Sequence, residues 1–219
     1  MELRSLARRG KDQKWFMVKA TLAKEKIEGS LQDVTEKVKA NDRLHFLAEH
    51  DPLTGILNRR GIEKEFDEAV ATLGDGVSMS LAYLDLDRFK LINDLFGHLA
   101  GDEVLKQVCE RVRNMLTEGQ SMGRVGGDEF VIVFKGTPID SAAWVCRGIV
   151  DRIGNLPYQI GDRAFQVKGS IGLMEISESI RVKDAISVAD RACREAKSGN
   201  HGNPVIYDRH SPVFRERED

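Results

Sequence analysis

The sequence predicts an α+β fold, a mixed α/β sandwich in which a sheet is covered by helices on at least one face. Three observations predict it. Segments of helical and strand periodicity alternate from residue 51 onward. Residues 101–118 carry the clearest helical stripe, with Val104, Leu105, Val108, Val112, Met115 and Leu116 on one face. Gly126-Gly127 and Gly161-Asp162 each stand between strand-like runs, as hairpin connections do. The 219 residues, 41% of them hydrophobic, suffice for one substantial core plus an appendage.

The elements follow in order. Residues 15–20 and 27–31 read as strands, too few to bury a sheet face alone, so they look like the end of something larger. Asp33 or Thr35 caps a helix running to about residue 50. Val34, Val38, Ala40, Leu44 and Leu47 give it a rough apolar stripe that Asn41 interrupts, so the helix is either a short parallel coiled coil or a helix docked on its own domain. Asp51-Pro52 stops it, because the residue before proline is pushed out of the helical region. Ile62, Phe66, Ala69 and Val70 predict a helix over residues 58–72, and "MSLAYLDL" over 79–86 a buried strand that delivers Asp85 and Asp87 at its end. Residues 138–155 read as a helix, 158–160 and 164–176 as a hairpin, 182–197 as a helix and 204–207 as a last strand.

Charge and composition exclude several function classes. A net charge of -2 creates no global positive field, so a nucleic-acid partner is not expected. There is no run of 18 apolar residues and no signal-type N-terminus, so a cytoplasmic setting without membrane contact is expected, any anchor lying outside this segment. Cys109, Cys146 and Cys193 are odd in number, far apart and free of any CxxC spacing, which points to buried thiols rather than disulfides or zinc.

Residues 121–134, "SMGRVGGDEFVIVF", raise the chemical question. Gly126 and Gly127 can take positive φ at no steric cost, as a two-residue connection of the primed type requires. Turn chemistry does not account for Asp128 and Glu129. Two carboxylates at the start of a buried strand repel each other and lose hydration unless something positive sits between them. "LDLDRFKLIND" supplies more oxygen, since Asp85 and Asp87 are two apart on a strand end with the Leu86 carbonyl between them. With the two tips side by side, Asp85, the Leu86 carbonyl, Asp128 and Glu129 make a hard-oxygen set of the magnesium type that leaves positions for nucleotide phosphates. Lys90, just past the strand end, is either a phosphoryl-stabilising ammonium or an ordinary surface lysine. Asn93, His98 and Asp102 offer donors and acceptors suited to a purine edge; their alternatives are a helix end, a loop contact and a helix cap.

The run Gly126-Gly127-Asp128-Glu129-Phe130 is the signature of the GGDEF family, the diguanylate cyclases, which this chain resembles over about residues 51–207. "DPLTGILNRR", "DLDRFKLINDLFGHLAGDEVL" and "ADRACREAKSG" agree with it in order and spacing. The resemblance implies a fold like a polymerase palm or nucleotide cyclase, with a mostly antiparallel central sheet flanked by helices and preceded by a signalling helix. It implies that two GTP molecules on a homodimer are joined into cyclic di-GMP with release of pyrophosphate, using two Mg2+ (or Mn2+) ions per active site. Asp85, the Leu86 carbonyl and Asp128 would hold the ions, with Glu129 a further ligand and Asp128 assisting deprotonation of the attacking hydroxyl. Lys90 would stabilise phosphate, Asn93 and Asp102 would read guanine, and His98 would touch substrate. The backbone of Phe89 and Lys90, together with Lys197, would meet the terminal phosphates. The alternative is a catalytically silent GTP-binding module that controls an attached EAL phosphodiesterase domain.

Two departures stand out. The family's second triphosphate residue, an arginine four positions after the lysine, is His201 here, which leaves that contact in question. The R-x-x-D product-inhibition motif is replaced by Thr117, Glu118, Gly119 and Gln120, so no product-inhibition site is expected. Upstream, Asp33-Val34-Thr35 resembles the Asp-x-Thr linker that follows a PAS sensor. The domain organisation expected is a sensor tail over residues 1–32, a signalling helix over 33–50, the cyclase domain over 51–208 and the start of a further linker over 209–219.

Overall fold

Strand β1 (Glu2–Arg9), β2 (Asp12–Ala23) and β3 (Lys26–Asp33) pair in sequence as an antiparallel meander, followed by helix α1 (Thr35–Glu49). The structure is a computed structural model and describes residues 2–9, 12–23, 26–74, 77–199 and 202–208. The chain divides into two compact units, Met1–Ala48 and Glu49–Asp219. In the first, the Thr35 N–H donates to the Asp33 carboxylate at 2.9 Å, and the Trp15 N–H donates to the Thr35 hydroxyl at 2.9 Å. Asp33 thus satisfies a donor of the first turn. Strand β1 has no counterpart among the expected strands. The expected helix ends within one residue of the observed α1.

The second unit is built from β4 (Leu57–Asn58), α2 (Arg59–Val70), β5 (Met79–Asp87), α3 (Phe89–Phe96), α4 (His98–Arg113), β6 (Gln120–Arg124), β7 (Glu129–Phe134), α5 (Ile139–Gly154), β8 (Tyr158–Ile160), β9 (Arg163–Phe165), β10 (Lys168–Ile176), α6 (Val182–Gly199) and β11 (Val205–Ile206). Six strands form one sheet in the order β11-β10-β5-β7-β6-β4. The edge pairs β10–β11 and β4–β6 are parallel and the three central pairs antiparallel. The period of two along β5 sorts its side chains. Ala82, Leu84 and Leu86 join the core under α3, α4 and α5, while Leu81 and Tyr83 join the core under α2 and α6. Helices therefore cover both faces, and β5, with a strand on either side, is buried along nearly its whole length.

Two features bring α6 to the site. Its inward face is Ala185, Ala189, Ala192, Cys193 and Ala196, all buried. Opposite lies Gly172 of β10, where an added Cβ would overlap the α6 backbone at Cys193 and Ala189. Small residues on both sides let helix and strand approach closely, so the last turn of α6 reaches the end of β5. The three cysteines are buried and unpaired, and burial pushes the Cys193 thiol up to about 12.

Three expectations change. Helix α4 starts at His98 rather than 101, because Gly97 at φ 82° breaks the chain from α3 and starts a new helix at once. It ends at Arg113 rather than 118; Met115 and Leu116 continue the apolar stripe by packing on the core from a turn. The run 164–176 splits at Gln166-Val167 into β9, which pairs with β8, and β10, which enters the main sheet.

Candidate active site

The two carboxylate-bearing tips lie side by side. Strands β5 and β7 are adjacent and antiparallel, with Asp85 directly opposite Glu129. The Leu86 N–H donates to the Asp128 carbonyl at 3.2 Å. The N–H and C=O of one strand residue leave on the same edge, so the Leu86 carbonyl also faces the hairpin. Asp87 is drawn to the other side, where its carboxylate accepts from the Ser170 hydroxyl at 2.9 Å.

The glycines act differently from the two-residue primed turn expected of them. The connection between β6 and β7 is four residues, 125–128, and closes with the Val125 and Gly126 N–H groups both donating to the Glu129 carbonyl, at 2.9 and 3.3 Å. Neither Gly126 nor Gly127 has positive φ. Gly126 supplies space instead, since a Cβ there would overlap the Glu129 carboxylate, which lies over it.

The electrostatics follow from burial. Burial pushes the Asp85 carboxyl above the usual range, Lys197 opposes that rise, and the charges on Asp128 and Glu129 reinforce it. Burial likewise raises Asp128, with Glu129 adding to the rise and Lys197 and Arg124 opposing it. Asp85 Oδ1 is buried without a well-directed hydrogen bond, and Lys197 Nζ meets it at 2.5 Å as an ion pair. Burial opposes the Lys197 ammonium, yet Asp85 outweighs it and holds the group above the ordinary lysine range. The Tyr83 phenol is raised by burial and by its bond to Glu129.

Asp85, Asp128 and Glu129, beside the Leu86 carbonyl, carry more negative charge than the Lys197 ammonium on Asp85 offsets, and such a set calls for a hard cation. Among the described residues no three carboxylate, imidazole or thiol groups converge closely enough to hold a metal by themselves. Two carboxylates plus a carbonyl fit a divalent ion that draws its remaining oxygens from phosphate, so these residues fit Mg2+ or Mn2+.

The other expected residues sit around the start of α3. Phe89 is buried and Lys90 exposed in its first turn. Arg88, which opens the helix, is held at φ 56°, and among the described residues it is the one non-glycine with positive φ. Such backbone costs of order 1 kcal/mol and is found where chain geometry serves a site. Asn93 lies inside α3, with its amide oxygen where a Cβ on Gly101 of α4 would stand. His98 is exposed at the start of α4 and Asp102 half-buried one turn later, too deep in the helix to cap it. His201 lies outside the described residues. An open groove of about 720 Å3 runs from Asp87, Arg88, Lys168 and Lys197 along the apolar side of α3 to Phe96 and Phe165.

Sequence reasoning missed a clamp on the hairpin. Arg124 pairs with Asp51 at 3.2 Å and donates through Nε and Nη2 to the Gly127 carbonyl at 3.0 and 2.7 Å. Asp51 in turn accepts from the Thr54 N–H and hydroxyl at 2.9 and 2.6 Å. "DPLTG" carried the signal, an Asp three residues before a Thr, but its partner Arg124 is 73 residues away.

The family model described as "Diguanylate cyclase, GGDEF domain" matches residues 48–203. The chain belongs to the GGDEF family. Among relatives, a protein of Escherichia coli named "Probable diguanylate cyclase DgcE" is 32% identical over 180 residues, covering 81% of this chain and 16% of its own length. "Cyclic di-GMP phosphodiesterase PdeR" of the same organism is 34% identical over 186 residues, covering 84% of this chain and 27% of its own. The chain thus spans under a third of the length of these two curated relatives. Diguanylate cyclase SiaD of Pseudomonas aeruginosa, solved in complex with its activator SiaC, superposes with a TM-score of 0.69 at 31% identity, covering 78% of this chain and 66% of that one. The GGDEF fold accounts for the mostly antiparallel sheet with helices on both faces. Among the described residues no helix is long and apolar enough to cross a membrane.

Proposed function

We propose that this chain is a diguanylate cyclase, joining two GTP molecules into cyclic di-GMP and two pyrophosphates across a homodimer. One observation carries the reading: Asp85 and Glu129 stand opposite each other on adjacent strand ends, with Asp128 in the loop beside them and Lys197 at Asp85. Asp85, Asp128 and the Leu86 carbonyl would hold two divalent ions, with Glu129 a further ligand. Bound there, the ions would lower the pKa of the attacking 3′-hydroxyl and neutralise the leaving pyrophosphate.

The residues of the chain do the rest. Asp128, whose carboxyl burial raises, is suited to accept the proton of the 3′-hydroxyl. Asn93 and Asp102 read the guanine edge and His98 touches the substrate. The Phe89 and Lys90 N–H groups at the start of α3 receive the terminal phosphates, and Lys90 and Lys197 neutralise them. Each domain presents one GTP, so the reaction needs two copies. Leu44, exposed on α1, is the kind of apolar surface a second copy covers, which supports residues 33–50 as the pairing helix; residues 1–32 are read as the tail of a sensor.

The experiment is incubation of the protein with GTP and Mg2+ at several concentrations, reading cyclic di-GMP and association state together. Product that rises with the dimer fraction is expected. A second reading, a silent GTP-binding module that regulates an attached phosphodiesterase, draws support from the phosphodiesterase relative. GTP bound at dimer-forming concentrations with no product formed would favour it and overturn the first.

A further inference from the structure

We infer that Lys168 is a second triphosphate-positioning residue, supplying at the start of β10 the positive charge that the arginine position occupied by His201 does not. The inference rests on the proposed GTP site and names a residue that neither the motifs nor the resemblance assigns.

Register and face carry it. Lys168 is the first residue of β10 and stands opposite Asp87 of β5, at the Cα separation of about 4.5–5.5 Å that antiparallel partners have. Side chains alternate along β10, so Lys168 shares a face with Ser170, whose hydroxyl reaches Asp87 on that same face. Asp85, Asp87 and the Lys197 that contacts Asp85 belong to this face as well. Lys168 is therefore on the catalytic side of the sheet, one strand over from the metal-type carboxylates.

The helix adds a second line. One residue after Asp87 the chain turns through Arg88 at φ 56° and opens α3, whose first N–H groups have no intrahelical acceptor and favour an anion. Lys168 and Lys197 line the same end of one groove together with Arg88. Lys197 is engaged with Asp85, whereas Lys168 is exposed and makes no ion pair among the described residues. A phosphate chain starting at the Asp85 side and ending over the start of α3 lies between the two ammonium groups. The inner phosphates fall to Lys197 and the outermost to Lys168.

That order predicts which nucleotides feel Lys168. The test is binding of 3′-deoxy-GTP, which lacks the attacking hydroxyl, and of GMP, to the full 219-residue chain in Mg2+ by calorimetry. Lys168→Ala is expected to weaken 3′-deoxy-GTP about tenfold, the scale of one charge-assisted contact, while leaving GMP unchanged, and Lys168→Arg to restore it. In turnover the same variant raises KM for GTP and changes kcat little, since the contact serves ground state and transition state alike. Equal 3′-deoxy-GTP affinity in wild type and Lys168→Ala, or an equal loss for GMP, would overturn the assignment. Wild type that binds no guanine nucleotide would overturn the GTP-site reading itself, and the assignment with it.

Discussion

Lys197 Nζ meets Asp85 Oδ1 at 2.5 Å, so the last turn of α6 places an ammonium on the carboxylate that ends β5. On the proposed reading, the ammonium and a divalent ion would compete for one oxygen. Without nucleotide, Lys197→Met is expected to bind Mn2+ more tightly than wild type by electron paramagnetic resonance. It should also lose about 1–2 kcal/mol of stability in urea, because a mostly buried carboxylate loses its counter-charge. Unchanged or weaker Mn2+ binding would show that the two cations do not share the oxygen.

Asp128 predicts opposite effects on activity and stability. Asp128→Asn is expected to lower turnover by about 10²–10³-fold or more, the scale of removing one preorganised charged group. Its folded pKa is raised above 3.8 by burial, so the carboxyl destabilises the fold once ionised. That cost is absent below pH 3.8 and complete above the folded pKa. The Asn variant should therefore melt higher than wild type at neutral pH, with the gain shrinking toward pH 3. A variant that melts lower at pH 7 would contradict the buried, repelled carboxylate described above.

The Asp51–Arg124 pair predicts coupling at a distance from the reacting groups. Both side chains are over four-fifths buried, so Arg124→Ala leaves a charge without its partner and frees the Gly127 carbonyl. A loss of about 2 kcal/mol is expected, and a cycle with Asp51→Asn should return a coupling of about 1–2 kcal/mol. Burial raises the Asp51 carboxyl, but Thr54 and Arg124 together hold it below 3.8. Its contribution is thus present above pH 3.8 and lost as pH falls through the folded value. Additive effects of the two substitutions would rule out the clamp.

Close approach of α6 to β10 depends on Gly172. Gly172→Ala drives a Cβ into helix backbone, which cannot rotate away, and about 1–3 kcal/mol of stability should be lost in chemical denaturation. Because the same shift lifts Lys197, KM for GTP should rise in the folded variant. A fully tolerated alanine would mean that the helix has room to spare.

Some of this was written locally in the chain. The apolar run from Met79 and the carboxylates that end it declare a buried strand and its tip, because period-two burial and a terminal charge are both visible within nine residues. Asp33 shows as a helix start two residues before the helix it serves. The turn at the glycine pair did not show, since the space Gly126 leaves is set by where the Glu129 side chain folds back. Lys168 was invisible for a stronger reason. Its value depends on pairing with a strand some eighty residues earlier, and a lysine at a strand start looks the same whether its neighbour is solvent or a phosphate.

Strand β5 lies between β7 and β10, both drawn from later in the chain, and its end is met by α6, later still. During synthesis the carboxylates of β5 leave the ribosome long before any partner for them exists. A nascent chain stalled before residue 182 can build the α4 and α5 side of the core, but it has no Lys197 and lacks the α6 half of the cover over Tyr83. On the proposed reading, the nucleotide site would be completed only once α6 has been made and has docked on the sheet.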